Sequence, residues 1–171
     1  MRTKCFVYSV LFLVTGFLPS ALATELRPCF TPGEDCTAAI VRLIDEAKSE
    51  LLVQAYGFTS APIMQAVVRA KERGVIVKVV LDKINQTDKY SAATFLMNHG
   101  IDPLIDDKVA IAHNKVMVLD RRNVITGSFN FTTAAQKRNA ENVLFILDDP
   151  VIAEAYAQNW QRRANQSRSF K

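Results

Sequence analysis

Four polar side chains in two short apolar segments carry functional groups that could act on a phosphate ester. His113 and Lys115 lie in the first segment, and Ser128 and Asn130 lie in the second. Valine, isoleucine and leucine surround them and a polar turn at 120–123 separates the segments, so the pattern predicts a β-hairpin. Strand side chains alternate between faces, so each pair is expected to share a face. Lysine would supply charge, serine and asparagine would supply hydrogen-bond donors, and histidine would supply a nucleophile or an acid that titrates near neutrality.

The spacing of these residues is more specific than any one of them. A single His-x-Lys is common by chance, and a strand histidine more often serves packing or lies at the surface. The longer pattern, His-x-Lys, four residues, Asp, six residues and Gly-Ser-x-Asn, resembles the HKD motif of the phospholipase D superfamily. The flanking residues, from about Ser49 to the C-terminus, resemble the small, single-motif bacterial nucleases of that superfamily. The matching residues are His113, Lys115, Asp120, Gly127, Ser128 and Asn130.

Cleavage of a phosphodiester without a metal needs a nucleophile, an acid for the leaving oxygen and fixed positive charge around the phosphoryl oxygens. The chain has one His-x-Lys, and one imidazole cannot be the attacking base and the protonated acid in the same step. A two-fold dimer would bring the same histidine of each copy near the symmetry axis. The resemblance agrees, because single-motif members are homodimers with the site at the interface. It implies that His113 of one copy forms a phosphohistidine while His113 of the other protonates the leaving oxygen, without a cofactor.

The resemblance also implies roles for the other matching residues. Lys115 and Asn130 of both copies would hold the non-bridging oxygens, and Ser128 would assist them. Asp120, the motif aspartate, faces away from the histidine by strand parity, so we expect it to have a structural or indirect role. Glu141 lies where similar nucleases carry a carboxylate bonded to the histidine, and it would orient the imidazole. The alternative for Glu141 is a capping or surface charge before a strand.

Residues 1–23 have the features of a secretory signal peptide. Arg2 and Lys4 precede an apolar run that is short for a membrane span, and the segment ends in an Ala-x-Ala pattern. A retained N-terminal anchor is the alternative. Cleavage would leave one domain, residues 24–171, in the periplasm or outside the cell. It would also remove two basic residues and lower the formal net charge from +4 to +2, so overall charge argues little about the partner.

Two cysteines, Cys29 and Cys36, would remain after Cys5 leaves with the signal peptide. An even pair in an oxidising compartment favours a disulfide, which would pin the N-terminal segment. Two thiols and two scattered histidines give no recognisable ligand spacing, so we expect no metal site.

Alternating apolar strands and amphipathic helices predict one α/β domain with a central mixed, largely parallel sheet and helices on both faces. A strand–helix–strand unit implies a parallel, right-handed crossover. Residues 24–35 are rich in proline and threonine and are expected to form a loop. Strands are predicted at 50–58, 75–82, 101–106, 110–119, 123–129 and 141–147. Helices are predicted at 35–49, 60–74, 88–98 and from 149 onward, and a short helix or turn at 131–138.

The motif alone does not choose the substrate, because the superfamily cleaves both phospholipids and nucleic acids. No apolar–basic stretch suited to a membrane surface stands out in the mature sequence, so we expect no stable membrane association after signal cleavage. Basic residues flank the motif and could track a phosphate backbone, although such clusters are often only solvated. No recognition helix or aromatic stacking platform is evident, so we expect an endonuclease of low sequence specificity that acts on DNA, with RNA as an open alternative. The flanking basic residues are Lys108, Arg121, Arg122, Lys137 and Arg138.

Two other functions stay open. The first is a phospholipase D-type phospholipid hydrolase. The second is a non-catalytic, exported DNA-binding module that keeps the fold. The complete set of His113, Lys115 and Asn130 counts against the second, because a binding protein needs lysines but no nucleophile.

Overall fold

Eight strands form one continuous sheet in the computed structural model, which describes residues 24–86 and 91–171. The strands are β1 (Glu25–Thr31), β2 (Glu50–Ala55), β3 (Ile76–Asp82), β4 (Leu104–Asp106), β5 (Lys115–Leu119), β6 (Asn123–Gly127), β7 (Glu141–Leu147) and β8 (Arg168–Ser169). Their order across the sheet is β1-β7-β6-β5-β2-β3-β4-β8. The helices are α1 (Cys36–Glu46), α2 (Ala61–Glu72), α3 (Ala92–Asn98), α4 (Thr133–Lys137) and α5 (Pro150–Gln166), with a 3-10 turn at Lys83–Gln86.

The sheet is mixed, as predicted, but the expectation that it is largely parallel was wrong. Only the β2–β3 and β3–β4 pairs are parallel, and the chain crosses between them through α2 and α3. The other pairs are antiparallel. The reason is the chain after β4, where β5 and β6 are joined by a turn that can only connect antiparallel strands.

Helices cover both faces of the sheet, which confirms the predicted layers. Leu51 and Val53 of β2 point into the core that contains α1, α2 and α3, whereas Leu52 points into a smaller core formed with α5. In α1, Ile40 and Ile44 are fully buried on the helix face that the sequence pattern indicates. Burial of one such aliphatic side chain stabilises the fold by roughly 1.5–3 kcal/mol.

The N-terminal part of the chain differs from its prediction. Of residues 24–35, expected to form a loop, Glu25–Thr31 form the edge strand β1, which pairs along its whole length with β7. Proline is tolerated there because an edge strand needs hydrogen bonds on one side only. Cys29 and Cys36 form the expected disulfide, which ties β1 to the start of α1.

The motif hairpin is also shorter than predicted, so strand parity does not position the motif side chains. His113 precedes β5, and Ser128 and Asn130 follow β6. The strand cannot extend to residue 110 because the buried carboxylate of Asp82 binds the backbone there: the N–H of Ala112 donates to its Oδ2 at 2.6 Å.

Gly127 ends β6 where no other residue would fit. Its φ is +145°, and a Cβ at this position would lie 2.3 Å from the carbonyl oxygen of Asn142. The same carbonyl accepts hydrogen bonds from the N–H groups of Ser128 and Phe129, at 3.1 and 3.2 Å. The backbone therefore turns closely over the start of β7 and places Ser128 beside it.

The predicted signal peptide, residues 1–23, lies outside the described residues. So do residues 87–90, and the helix predicted at 88–98 is seen from Ala92. Within the described ranges, no helix has both the length and the apolar character that crossing a bilayer requires.

Candidate active site

The residues that could do chemistry meet at one edge of the sheet. Tyr56 directly follows β2, Lys115 opens β5, Ser128 directly follows β6, and Glu141 opens β7. These four strands are neighbours and alternate in direction, so two carboxyl ends and two amino ends lie side by side. His113 stands two residues before β5 at the same edge. This juxtaposition is produced by strand pairing between segments far apart in the sequence.

His113 presents an exposed imidazole on a firmly held loop. Its ring packs edge-on against the ring of Tyr56, with 4.6 Å between the centroids. The next residue, Asn114, accepts a backbone hydrogen bond from the N–H of Tyr56 at 2.9 Å. The preceding residue, Ala112, is held by Asp82 as described above. The imidazole is therefore supported on one side and open to solvent on the other.

The ammonium group of Lys115 lies directly beneath this loop. The side chain is 6% exposed, and Nζ donates to the carbonyl oxygen of His113 at 2.8 Å. Nζ also lies 5.2 Å from the centroid of the Tyr56 ring, within the range of a cation–π contact. Burial lowers the pKa of Lys115 below the usual lysine value, and the negative charge of Glu141 partly opposes this shift.

Ser128 and Glu141 form a hydrogen-bonded pair beside the lysine. The Ser128 hydroxyl donates to Oε2 of Glu141 at 2.6 Å and accepts from the N–H of Asn142 at 3.0 Å. The other carboxylate oxygen of Glu141 accepts from Asn139 at 2.9 Å. Within the described part of this chain, no hydrogen bond joins Glu141 to His113. The expected role of Glu141 in orienting an imidazole therefore stays a prediction.

Asn130 is brought to the same edge by a close approach to the chain after β2. Its Oδ1 lies 3.4 Å from the N–H of Gly57, which donates to it. A Cβ on Gly57 would lie 3.3 Å from both Oδ1 of Asn130 and Cγ2 of Thr132, tighter than an ordinary contact. Tyr56 and Gly57 were not among the predicted site residues. Their position after an apolar strand is visible in the sequence, but the strand that lies beside them is not.

Asp120 is far from this edge and has the structural role that was expected of it. Its carboxylate at the turn between β5 and β6 accepts from the backbone N–H groups of residues 48–50, at 2.7 to 3.1 Å. The hydroxyl of Ser49 also donates to it, at 2.8 Å. Burial by itself would raise the pKa of Asp120, but these hydrogen bonds outweigh it and hold the pKa below its usual value.

Two of the five basic residues predicted to flank the motif do not lie near it. Arg121 and Arg122 occupy the turn at the opposite end of the β5–β6 hairpin, and both are engaged in ion pairs. Arg121 pairs with Glu50 and Glu154, and Arg122 pairs with Asp148. They lie away from the histidine because residues near in sequence are separated by the length of a strand, and their expected contact with a phosphate backbone stays a prediction. Lys108, Lys137 and Arg138 are exposed in the connections at the site edge.

The polar groups at this edge are the ammonium of Lys115, the hydroxyl of Ser128 and the amide of Asn130, together with the acceptor carboxylate of Glu141. The described residues contain no group of three or more histidine, cysteine, aspartate or glutamate side chains placed to hold a metal ion. The arrangement can place positive charge and hydrogen-bond donors around an anion in contact with an exposed imidazole.

Comparisons with known proteins identify the family. The family model "Cardiolipin synthase, PLD-like domain" matches residues 40–164. A phospholipase D of Rickettsia felis is 48% identical over 142 residues, which cover 83% of this chain and 70% of that protein. The human mitochondrial cardiolipin hydrolase is 32% identical over 151 residues, which cover 84% of this chain and 60% of that protein.

A solved structure supports the same assignment. Nuc from Salmonella typhimurium, described as a phospholipase D family member, superposes with a TM-score of 0.83 and 38% sequence identity. The match covers 87% of this chain and 99% of Nuc. The fold, the matched segment and the complete set of motif residues agree, and the chain belongs to the phospholipase D superfamily.

Proposed function

We propose that the protein is a metal-independent phosphodiesterase that cleaves DNA with little sequence preference through a covalent phosphohistidine. The observation that carries the proposal is an exposed His113 imidazole that packs on the Tyr56 ring, while the buried ammonium of Lys115 contacts the same ring and binds the backbone carbonyl of His113. A nucleophile next to fixed positive charge is what phosphoryl transfer requires. Membership of the phospholipase D superfamily supports the reaction class.

In the proposed reaction, a ring nitrogen of His113 attacks phosphorus and the bond to the leaving oxygen breaks. The leaving oxygen takes a proton from His113 of a second copy. That second imidazole then removes a proton from water, the water oxygen attacks phosphorus, and the phosphorus–nitrogen bond breaks to restore free His113. Lys115 has donors left after its bond to the backbone, and together with Asn130 it would hold the non-bridging oxygens.

The second copy is needed because one chain supplies one imidazole at this edge. An apolar strip on the sheet face that α5 leaves uncovered supports association. Leu26 is 62% exposed and Phe30 is 55% exposed. Phe30 pairs in β1–β7 with Asn142, which binds Ser128, so the strip begins beside the site. Exposed apolar strips of this kind mark protein–protein contacts.

DNA is the proposed substrate because exposed cations lie on both sides of the histidine. Lys108 lies in the loop before it, and Lys137 and Arg138 lie at the end of α4. Such charges would contact phosphates without reading bases, and RNA could bind in the same way. The disulfide of Cys29 and Cys36 fits the proposed export to an oxidising compartment, the periplasm or the exterior.

Phospholipid is the second candidate substrate. It is favoured by the names of the relatives, phospholipase D and mitochondrial cardiolipin hydrolase. Both substrates contain a phosphodiester, so the same residues would act on either. A purely DNA-binding role is disfavoured, because binding alone would not need an exposed imidazole next to a buried lysine.

The test compares His113→Asn with His99→Asn on plasmid DNA and on phospholipid vesicles. His99, the other histidine of the chain, binds the carbonyl oxygen of Phe95 in α3 and serves as the control. We expect His113→Asn to lower turnover by about a thousandfold or more, as loss of a nucleophile does, and His99→Asn to retain wild-type rates. Substantial turnover by folded His113→Asn, or a strict metal requirement in the wild type, would refute the mechanism. Wild-type activity on vesicles but not on DNA would select phospholipid.

A further inference from the structure

A compact surface beside the site combines exposed aliphatic side chains with lysines. Ile84 is 48% exposed, Val109 is 36% exposed and Ile111 is 55% exposed. Lys83 and Lys108 adjoin them in the sequence. We call these five residues the aliphatic–lysine rim. Ile111 is two residues from His113, so the rim borders the candidate active site.

The rim is assembled from two segments that the buried carboxylate of Asp82 holds together. Oδ1 of Asp82 accepts from the N–H of Ile84 at 2.9 Å, and Oδ2 accepts from the N–H of Ala112 at 2.6 Å. The ammonium of Lys83 also reaches the carbonyl oxygen of Val109, at 3.4 Å. Asp82 is 1% exposed, so this connection is sheltered from water. The exposed aliphatic groups are therefore presented by a fixed scaffold.

Among the described residues, positive charge predominates around the rim. Lys108 and Arg168 share one carboxylate, Asp107, at 3.4 and 2.8 Å, and Lys83 adds a further cation. The described residues beside the rim thus include three cations, Lys83, Lys108 and Arg168, and the partly exposed carboxylate of Asp107. Aliphatic side chains flanked by lysines suit an anionic lipid surface, where the apolar groups enter the acyl boundary and the ammonium groups contact headgroup phosphates.

We propose that the aliphatic–lysine rim docks the protein on an anionic lipid bilayer, with the candidate active site next to the area of contact. DNA is a poorer fit, because phosphates would be met by lysines but nothing in a duplex backbone would cover the aliphatic groups. A second copy is also a poorer fit, because the lysines of two facing rims would repel one another. The proposal uses the proposed function only for the role of His113 and does not require the lipid to be the substrate.

The experiment measures binding to vesicles in the His113→Asn background, so that no turnover alters the lipid. Vesicles of phosphatidylcholine alone are compared with vesicles of equal parts phosphatidylcholine and phosphatidylglycerol. The rim variant carries Val109→Ser and Ile111→Ser. The matched control carries Val151→Ser and Ile152→Ser, which are 77% and 37% exposed at the start of α5. A second rim variant carries Lys83→Gln and Lys108→Gln, which keeps the aliphatic groups and removes the charge.

We expect the parent and the control to sediment with the anionic vesicles. Both rim variants should bind about tenfold more weakly, the size expected for losing two aliphatic contacts or two cations at a membrane surface. Absence of parent binding, or equal binding by the rim variants, would overturn the proposal. So would a change confined to the oligomeric state in analytical ultracentrifugation, or to affinity for short duplex DNA. Failure of the proposed function would be separate: vesicle binding would persist while the chain with His113 cleaved neither DNA nor lipid.

Discussion

At the scale of single residues, the proposed chemistry depends on the charge of a lysine whose pKa is lowered by burial. Lys115 is 6% exposed and keeps its ammonium next to an aromatic face and a backbone carbonyl rather than in water. Glu141 is the carboxylate whose charge offsets part of that burial. Ser128 donates a hydrogen bond to Glu141 and accepts one from the N–H of Asn142, so the carboxylate is fixed in place. The pH range of activity should therefore depend on Glu141.

Replacing Glu141 by glutamine removes the charge that raises the pKa of Lys115. That pKa, already lowered by burial, should fall further, so the ammonium is lost at lower pH. The alkaline limb of the pH profile of kcat/KM should then move to lower pH. Glu154→Gln is the matched control, since Glu154 pairs with Arg121 at the opposite edge of the sheet. An alkaline limb that stays in place in Glu141→Gln would show that Lys115 does not set it.

At the scale of elements, the β5–β6 hairpin has a chemical end and a structural end. The chemical end holds His113 and Ser128 in the chain segments that flank the strands. The structural end is the turn at Asp120, whose carboxylate binds the backbone of residues 48–50, where β2 begins. The hairpin is thus fastened to the central strand at the end remote from the site, which fixes the register of β2 against β5.

Asp120→Asn should destabilise the protein without a direct effect on chemistry. One carboxylate oxygen becomes an NH₂ group that faces N–H donors, and loss of charge-assisted hydrogen bonds costs about 2 kcal/mol. Because the pKa of Asp120 is lowered on folding, its stabilisation is present at neutral pH and is lost as pH falls through the folded-state value. Urea unfolding at neutral and acidic pH should show a difference from wild type that shrinks in acid. The exposed Asp102, changed to Asn, should cause no loss at either pH, and an equally stable Asp120→Asn would refute the role.

At the scale of the whole molecule, the proposed chemistry needs two chains. The apolar strip that contains Leu26 and Phe30 lies on the face opposite the disulfide, because β1 side chains alternate and Cys29 points into the main core. That face is the one α5 only partly covers. Association through it would leave the site edge of each copy available to the other.

Mixed dimers test this requirement. When wild-type and His113→Asn chains are co-expressed, a dimer with one imidazole should be inactive, so specific activity should fall as the square of the wild-type fraction. Mixing with His99→Asn should leave activity unchanged. A linear fall with the fraction of His113→Asn would mean that each chain works alone. Analytical ultracentrifugation of the same samples would check that the chains associate.

The motif residues, the helices on both faces and the disulfide pair could be predicted from the sequence because their signals are local. Residue type, short spacing and periodicity identify His113, Lys115, Ser128 and Asn130 as one set. They also indicate most strands and helices, although β1 was missed because an edge strand tolerates proline.

Only the tertiary structure decided which other residues lie beside the four motif residues. Tyr56 reaches His113 because β2 pairs with β5, and the aliphatic–lysine rim forms because Asp82 joins segments about thirty residues apart. Arg121 is close to Lys115 in sequence but lies away from the site, because the length of β5 separates the two residues. The sequence by itself determined which chemical groups the chain carries. Strand pairing, which depends on contacts between distant segments, decided which of them meet.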